Sequence, residues 1–490
     1  MDRPINGDSL ATLLMTSGGD ARILLGPETG LNRYFSAPRP SDVLAYASST
    51  ANDISAAAFA HVEPLARPKL SGAEYAEALE ALRRRIRSAW AVPDEVEIVF
   101  APSGTDLEYV GLACTSGRAA AGTHNLLLGA DEVGSGCIYS AFGQYFAEST
   151  ALGVATVPGA PIPGLGETHV EMIDVPVRDS SGRPRTSSEI TDAIREAIGP
   201  ARAAGRHPLI HVVHGSKTGL ILPSLEDIDR LRAEHGEGIT FVVDACQARI
   251  TSPAIADYLR RDAIVFITGS KFMGAPPFSG FALVPGTLAS SARPLPEGLA
   301  TVFGRAEWPA GWPGAGRLPD TGNPGLLLRL EASIFELERF QKLSLEAVSR
   351  VILSFHQAVR DEIVEKTPAR RVAPYPPGEQ ETADNHPIEM RTLSTLDLSG
   401  FGGGASFEDS QRWHKELVGR GVRLGQPVKC VKLPDGRWGA TLRIGLTMWQ
   451  VAERASLSDE ALDRSFGEDM AKIREALALV ATVSRPALSA

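Results

Sequence analysis

Two residues of this chain stand where a side chain can do chemistry on a small ligand. Lys271 follows Ile264-Val265-Phe266-Ile267-Thr268-Gly269-Ser270, where four apolar residues read as a buried strand and Thr-Gly-Ser as the turn that ends it. Asp244 closes a second apolar strand, Phe241-Val242-Val243-Asp244, just ahead of Ala245-Cys246-Gln247. Open α/β sheets bind ligands outside the carboxyl ends of their strands. A buried ammonium there is costly unless it is paired or used. The two groups suit one kind of carbonyl chemistry: the amine forms a Schiff base, and the carboxylate holds a protonated ring nitrogen, as pyridoxal phosphate (PLP) requires. Alone, the pair is only suggestive.

The elements that must position these residues can be followed along the chain. Val43–Ala47 reads as a short strand, and Ser48-Ser49-Thr50-Ala51-Asn52 as a hydroxyl-rich turn. Residues 72–90 carry Tyr75, Ala78, Leu79, Leu82 and Ile86 at helical spacing, which predicts an amphipathic helix with its arginines on a solvated face. Val96–Phe100 is the next strand, and Ala101-Pro102-Ser103-Gly104-Thr105-Asp106 leads from it into a helix marked by Leu107, Val110, Ala113 and Cys114. Ser103 and Asp106 have the Ser-x-x-Asp form of a capping box. A Gly-containing turn at a helix N-terminus leaves N–H groups free for a phosphate; the plainer reading is an ordinary capped helix.

Further strands are expected at Asn125–Gly129 and His211–His214, ending in Glu132-Val133-Gly134-Ser135 and Gly215-Ser216-Lys217-Thr218-Gly219. Helices around 188–198 and 225–235 alternate with them, so the sheet should be mostly parallel and doubly wound. His214 could serve as an acid or base, but a lone histidine at a strand end is more often structural. Residues 286–325 are rich in Gly and Pro with no regular element evident, which suggests a lid or a dimer-contact segment. A long helix should follow from about Leu326 to Leu345. Beyond a boundary near 367–390, a strand at 392–398, a helix at 407–418 and a hairpin of 428–433 with 440–446 predict a smaller α/β domain. The division reads as an N-terminal segment (1–60), a large ligand-binding domain (61–330) and a small C-terminal domain (331–490).

Bulk properties exclude several classes. The 490 residues are 43% hydrophobic and 22% charged, an ordinary globular composition, with a net charge of -10 that disfavours nucleic acid. No apolar run approaches a membrane span, and Met1-Asp2-Arg3-Pro4 has no export signal, so a cytoplasmic protein is expected. Cys114, Cys137, Cys246 and Cys430 are widely spaced, which predicts neither a disulfide framework nor a metal site. The chain has neither Gly-x-Gly-x-x-Gly after a strand nor a Lys-Ser/Thr phosphate loop, which disfavours a nucleotide-binding protein.

Taken in order, these turns resemble the fold type I PLP-dependent enzymes, in the class V aminotransferase and cysteine desulfurase branch, from about Val43 to Leu446. The resemblance implies an α/β fold, a large domain with a mostly parallel, doubly wound sheet and a smaller C-terminal α/β domain. It makes Lys271 the Schiff-base lysine and Asp244 the acid on the pyridine nitrogen. Gln247 would reach the cofactor's phenolic oxygen, as would Ser216, which stands where the family often has asparagine. Ser103, Gly104 and Thr105 would hold the phosphate, with hydroxyls from Thr268 and Ser270. Thr321 resembles a threonine that reaches the phosphate of the neighbouring subunit, which implies a homodimer with shared sites. Arg443, in Thr-Leu-Arg-Ile-Gly-Leu, matches the arginine that grips the substrate α-carboxylate, with Ser49 and Thr50 close by. Val133 or Gly134 stands where a histidine usually covers the ring. Between Cys246 and Cys430 there is no cysteine to serve as the mobile thiol of a desulfurase. The implied activity is an aminotransferase-like reaction on an α-amino acid through an external aldimine. A C–C or C–X lyase, aldolase or bond-forming synthase is the alternative, and a PLP-binding protein without turnover is disfavoured by Lys271 and Arg443 together.

Overall fold

The computed structural model describes residues 9–130, 132–134, 136–166, 169–376, 378–379 and 390–483. The start at Met1–Pro4, Ser135 and much of the 367–390 boundary therefore lie outside the described residues. In chain order the strands are β1 (Leu44–Tyr46), β2 (Glu97–Ala101), β3 (Thr123–Leu128), β4 (Val170–Val175), β5 (His207–His214), β6 (Ile221–Leu222) and β7 (Thr240–Asp244). Then come β8 (Ala263–Thr268), β9 (Gly280–Val284), β10 (Arg370–Val372), β11 (Leu393–Asp397), β12 (Val422–Leu424) and β13 (Thr441–Gly445).

The large sheet runs β2-β9-β8-β7-β5-β3-β4, with β6 folded back on β5. Its central strands are parallel and buried throughout, because helices cover both faces, and this is why β5 and β8 read as near-continuous apolar runs. Only β9 and β6 run against the others. Register carries the site. Asp244 pairs with Val213 on one side and Phe266 on the other, so the ends of β5, β7 and β8 open at one edge. Antiparallel β9 sets Gly280 opposite both Ala101 and Thr268, which brings the turn after β2 to the same edge.

The second sheet, β10-β11-β13, is antiparallel, and β12 pairs in parallel with β1 from the other end of the chain. The hairpin expected from 428–433 forms only in part. The Leu433 N–H donates to the Arg437 carbonyl around a turn with Gly436 at φ 83°, and Lys432 bridges Trp438, but the arm is no strand, and β13 pairs with β11 instead. The helix Phe407–Val418 matches its expected span, while Met448–Arg454 and Asp459–Val483 are further helices.

Two expectations need correction. Arg83 on the helix Gly72–Trp90 is buried, donating to the Ile98 and Ala306 carbonyls, while Arg85 pairs with Glu331 and Glu338. Arg84 is solvated as expected, while Arg83 and Arg85 pack against neighbouring segments. Residues 286–325 are neither a lid nor irregular throughout. They contain a short helix, Gly286–Ser290, and three 3-10 turns, and they bury Trp308 and Trp312 in an apolar cluster with Leu299, Phe303 and Leu318. Tryptophans in a Pro-rich segment mark packing there, since each removes a large apolar area from water.

Candidate active site

Every candidate residue named from the sequence except Thr321 and His214 lines one cavity at the carboxyl edge of the large sheet. Thr321 is exposed on a separate surface cleft with Ser17, Gly18 and Asn323.

Lys271 sits at the end of β8, past a glycine that has no room for a side chain. A Cβ at Gly269 would lie 2.4 Å from that of Ser333 on the helix Pro324–Gln341. Asn52 holds the Lys271 backbone by donating to the Ser270 and Lys271 carbonyls at 2.9 and 2.7 Å. The amine donates to the Thr50 carbonyl at 2.5 Å. Burial lowers its pKa from 10.5 to about 7, and the positive charges of Arg443, Lys217 and Arg22 push the same way. The result is an amine that is substantially neutral, and so nucleophilic, near physiological pH.

Asp244 is raised above the ordinary carboxylate range by burial, a shift opposed by the Cys246 N–H and by the charges of Lys271 and Lys217. Glu108 lines the same cavity and is raised well above the ordinary carboxylate value by burial and by the charge of Asp244. His211, 3.4 Å from Glu108, is kept neutral by burial, its pKa lowered to about 3.

Arg443, on β13, donates to the carbonyls of Gln426, Ser49 and Lys217 and to the Thr50 hydroxyl, at 2.8, 3.2, 3.3 and 3.1 Å. All four acceptors are neutral oxygens, which orient the guanidinium without cancelling its charge. Burial lowers its pKa to about 10, still well above neutrality. The Ser49-Thr50 turn therefore touches both Lys271 and Arg443, and it fixes the distance between amine and carboxylate grip. The Ser49 hydroxyl is buried with no hydrogen-bond partner among the described residues. If Arg443 grips a substrate α-carboxylate, as the resemblance implies, replacing it by alanine should raise KM for an amino-acid substrate on the order of 100-fold, about 3 kcal/mol for a lost charge-assisted pair, and leave a bound cofactor in place. Steady-state kinetics beside the cofactor absorbance of the variant check this; loss of cofactor would show that the assignment is wrong.

At the other end, Gly104 packs on Thr268: a Cβ there would come within 2.7 Å of the Thr268 methyl. Ser103 Oγ accepts the Asp106 N–H and donates to its carboxylate at 2.6 Å, but the helix Leu107–Thr115 begins with Asp106 as its N-cap, not with Ser103. The capping box thus becomes a local turn just outside the helix. The Thr268 hydroxyl donates to the Cys246 carbonyl.

Several functional neighbours have no obvious local signature. Arg22 reaches the cavity from the N-terminal segment, bidentate to Asp20 and lying over the rings of Phe146 and Phe278. Gln247 is held by Arg249, whose guanidinium donates to its Oε1 at 2.6 Å and to Ser48 and Thr392. The Ser216 hydroxyl donates to Glu132 at 2.7 Å and accepts Thr218 and Leu220 N–H groups, so it is engaged within the protein. Burial would raise Glu132, but Arg178 and Ser216 together hold it below its ordinary value. Glu132, Val133 and Gly134 line the cavity wall, and no histidine does so among the described residues. His214 is structural, with Nδ1 3.0 Å from the Tyr258 hydroxyl.

No protein-family model matches the sequence, and no curated protein matches it. Solved structures do match in fold. A ureidoglycine-glyoxylate aminotransferase from Bacillus subtilis superposes with a TM-score of 0.56 at 12% identity, over 92% of this chain and 95% of that one. A cysteine desulfurase from Escherichia coli gives 0.55 at 16% identity, over 89% and 95%. A cystine C-S lyase in complex with its product gives 0.52 at 13% identity, over 88% and 98%. At these identities the likeness speaks to fold and not to reaction, and the three proteins are named for three different chemistries. The chain has the fold type I architecture of the PLP-dependent enzymes, the architecture its motifs around Asp244 and Lys271 implied.

Proposed function

We propose that this protein is a PLP-dependent enzyme that acts on an α-amino acid by transamination. One observation carries the proposal: a substantially neutral amine, a buried carboxylate and a guanidinium on neutral acceptors face one cavity.

The residues fit the cofactor. A protonated pyridine nitrogen is the partner that would return buried Asp244 to its ionised form. The turn at Ser103–Thr105 offers hydroxyls and N–H groups for a phosphate, beside Thr268 and Ser270. Gln247, braced by Arg249, faces the same space. Lys271 supplies the amine that would hold the aldehyde. When bound, PLP carries the substrate nitrogen and withdraws electrons from its Cα.

The chain's own residues do the rest. Arg443 would take the α-carboxylate by its charge and through the Nη2 N–H that Gln426, Ser49, Lys217 and Thr50 leave over, which sets the position of Cα. Lys271, tied to the same Ser49-Thr50 turn, would move the Cα proton as a neutral base. Asp244 keeps negative charge at the ring nitrogen, where the developing electron density needs a proton held. Persulfide chemistry is disfavoured because a thiolate is required. Burial pushes Cys430 up to about 12, and it also raises the cavity-lining Cys137 and Cys246 well above the ordinary thiol value. The reading includes a homodimer, in which exposed Thr321, away from its own cavity, reaches the neighbouring subunit's phosphate.

The test is a half-reaction. The protein loaded with PLP is mixed with amino donors, and pyridoxamine phosphate is quantified before and after a 2-oxo acid is added. Its formation and reversal are expected. Elimination or bond-cleavage products with no pyridoxamine phosphate from any donor would replace transamination with the lyase or synthase reading.

A further inference from the structure

We propose that Arg249 is a positioning residue of this site: it turns the Gln247 amide so that an N–H, not an oxygen, meets the cofactor's phenolic oxygen, and it ties that amide to the turn that carries the substrate grip. The inference rests on the reading above, in which Gln247 faces bound PLP and Arg443 holds the α-carboxylate.

A glutamine amide can present either of its ends, and its neighbours decide which one. Among the described residues Gln247 lines the cavity and Arg249 does not. A guanidinium has only donors, and Arg249 Nη1 meets Gln247 Oε1 at 2.6 Å. The oxygen is therefore the end turned to Arg249. The nitrogen is left for the other side, where one N–H donates to the Ser49 carbonyl at 3.3 Å and the second remains for a ligand in the cavity.

Arg249 can hold the amide still because all five of its N–H groups are committed. Nε donates to the Thr392 hydroxyl at 2.9 Å, and Nη1 also to the Gln247 carbonyl at 3.3 Å. Nη2 donates to the Ser48 hydroxyl at 2.7 Å and to the Leu446 carbonyl at 3.5 Å. These acceptors stand just after β1 and β7, just before β11 and just after β13. A glycine two residues past Arg443 makes room for the fork: a Cβ at Gly445 would lie 3.1 Å from Nη2 and 2.7 Å from the Ser48 hydroxyl. Every acceptor is a neutral oxygen, so ion pairing does not explain why a residue only 5% exposed is an arginine. The rigid, five-donor fork does.

The same contacts reach the substrate end. The Ser49 carbonyl accepts from Gln247 Nε2 and from Arg443 Nη1, and Ser48 beside it is held by Arg249. One chain of bonds runs from Arg249 through Gln247 and Ser49 to Arg443, and it sets the spacing between the donor to the phenolic oxygen and the grip on the carboxylate.

The experiment measures dissociation constants of PLP and of 3-deoxypyridoxal phosphate, which lacks the phenolic oxygen. The apo-proteins compared are wild type, Arg249→Met, Gln247→Leu and the double variant. Wild type should bind PLP more tightly than the analogue. Each single substitution should lower that preference about tenfold, the worth of one hydrogen bond, and the double variant should fall no further than Gln247→Leu alone. Arg249→Lys keeps the cation without the fork, should lower the preference at least threefold, and decides the matter if Arg249→Met does not fold. A merely structural arginine would weaken both ligands equally, and that result overturns the proposal. So do additive losses in the double variant, an undiminished preference in Arg249→Lys, or a wild type that does not discriminate. If the wild type takes up no PLP, the cofactor reading fails first and this one with it.

Discussion

Alanine at position 271 is expected to remove the visible band of the PLP-loaded protein and its trapping by borohydride, with activity falling to background. No other lysine at the cavity comes from the end of β8, where the Thr50 carbonyl and Asn52 hold both the amine and its backbone. The pH dependence gives a finer check. Only the neutral amine attacks an aldehyde, so capture of PLP by the apo-protein should rise about tenfold per pH unit below 7 and level off above about 8. A lysine at its ordinary 10.5 would still be accelerating there. Linkage has a definite sign. Between about 7 and 10.5 the folded state binds fewer protons at this amine than the unfolded chain, so its contribution to stability grows with pH across that window. Apo wild type and Lys271→Ala, compared by denaturant unfolding at pH 7 and 10, should differ in that slope. Identical slopes would show that the amine is not depressed.

How much of this could be read from the sequence depended on whether the signal was local. The strand runs before Asp244 and Lys271 are apolar because both faces of β7 and β8 are buried, and a strand buried on both faces announces itself in four or five residues. The turn at Ser103 and the hydroxyl-rich turn at Ser48 were likewise visible in order. What stayed hidden was set by tertiary contact. Nothing around Arg22 marks it as a site residue, since it arrives on a 3-10 turn of the N-terminal segment; Asn52 closes the hydroxyl-rich turn, but its reach to the backbone after β8 has no local signal. Arg83 fitted a solvated helix stripe by spacing, yet the segment at 304–307 covers it. Glu132 stood inside a strand-end motif, and Arg249 two residues past another. Their roles depend on which neighbour turns inward, and that is decided by the Glu132–Arg178 pair and the Ser48–Arg249 bond, not by spacing.

Asparagine at position 244 should cost far more rate than affinity. The amide keeps the size of the side chain and can still accept the Cys246 N–H, which holds Asp244 in place at 2.9 Å. It cannot carry the negative charge that keeps the ring nitrogen protonated, and that charge matters most when electron density leaves Cα. Glu108 cannot substitute, because burial alone, the larger cause, holds it well above the ordinary carboxylate value, and the adjacent His211 is kept neutral by burial. With no second anion at that end of the ring, kcat should fall on the order of 100-fold or more while KM changes within about threefold, the pattern of an interaction made chiefly in the transition state. Single-turnover kinetics with deuterium at Cα localise the loss, since a slower proton-transfer step should enlarge the isotope effect. Equal rates for wild type and Asp244→Asn would remove this carboxylate from the mechanism. A loss confined to cofactor affinity would reduce it to an anchoring group.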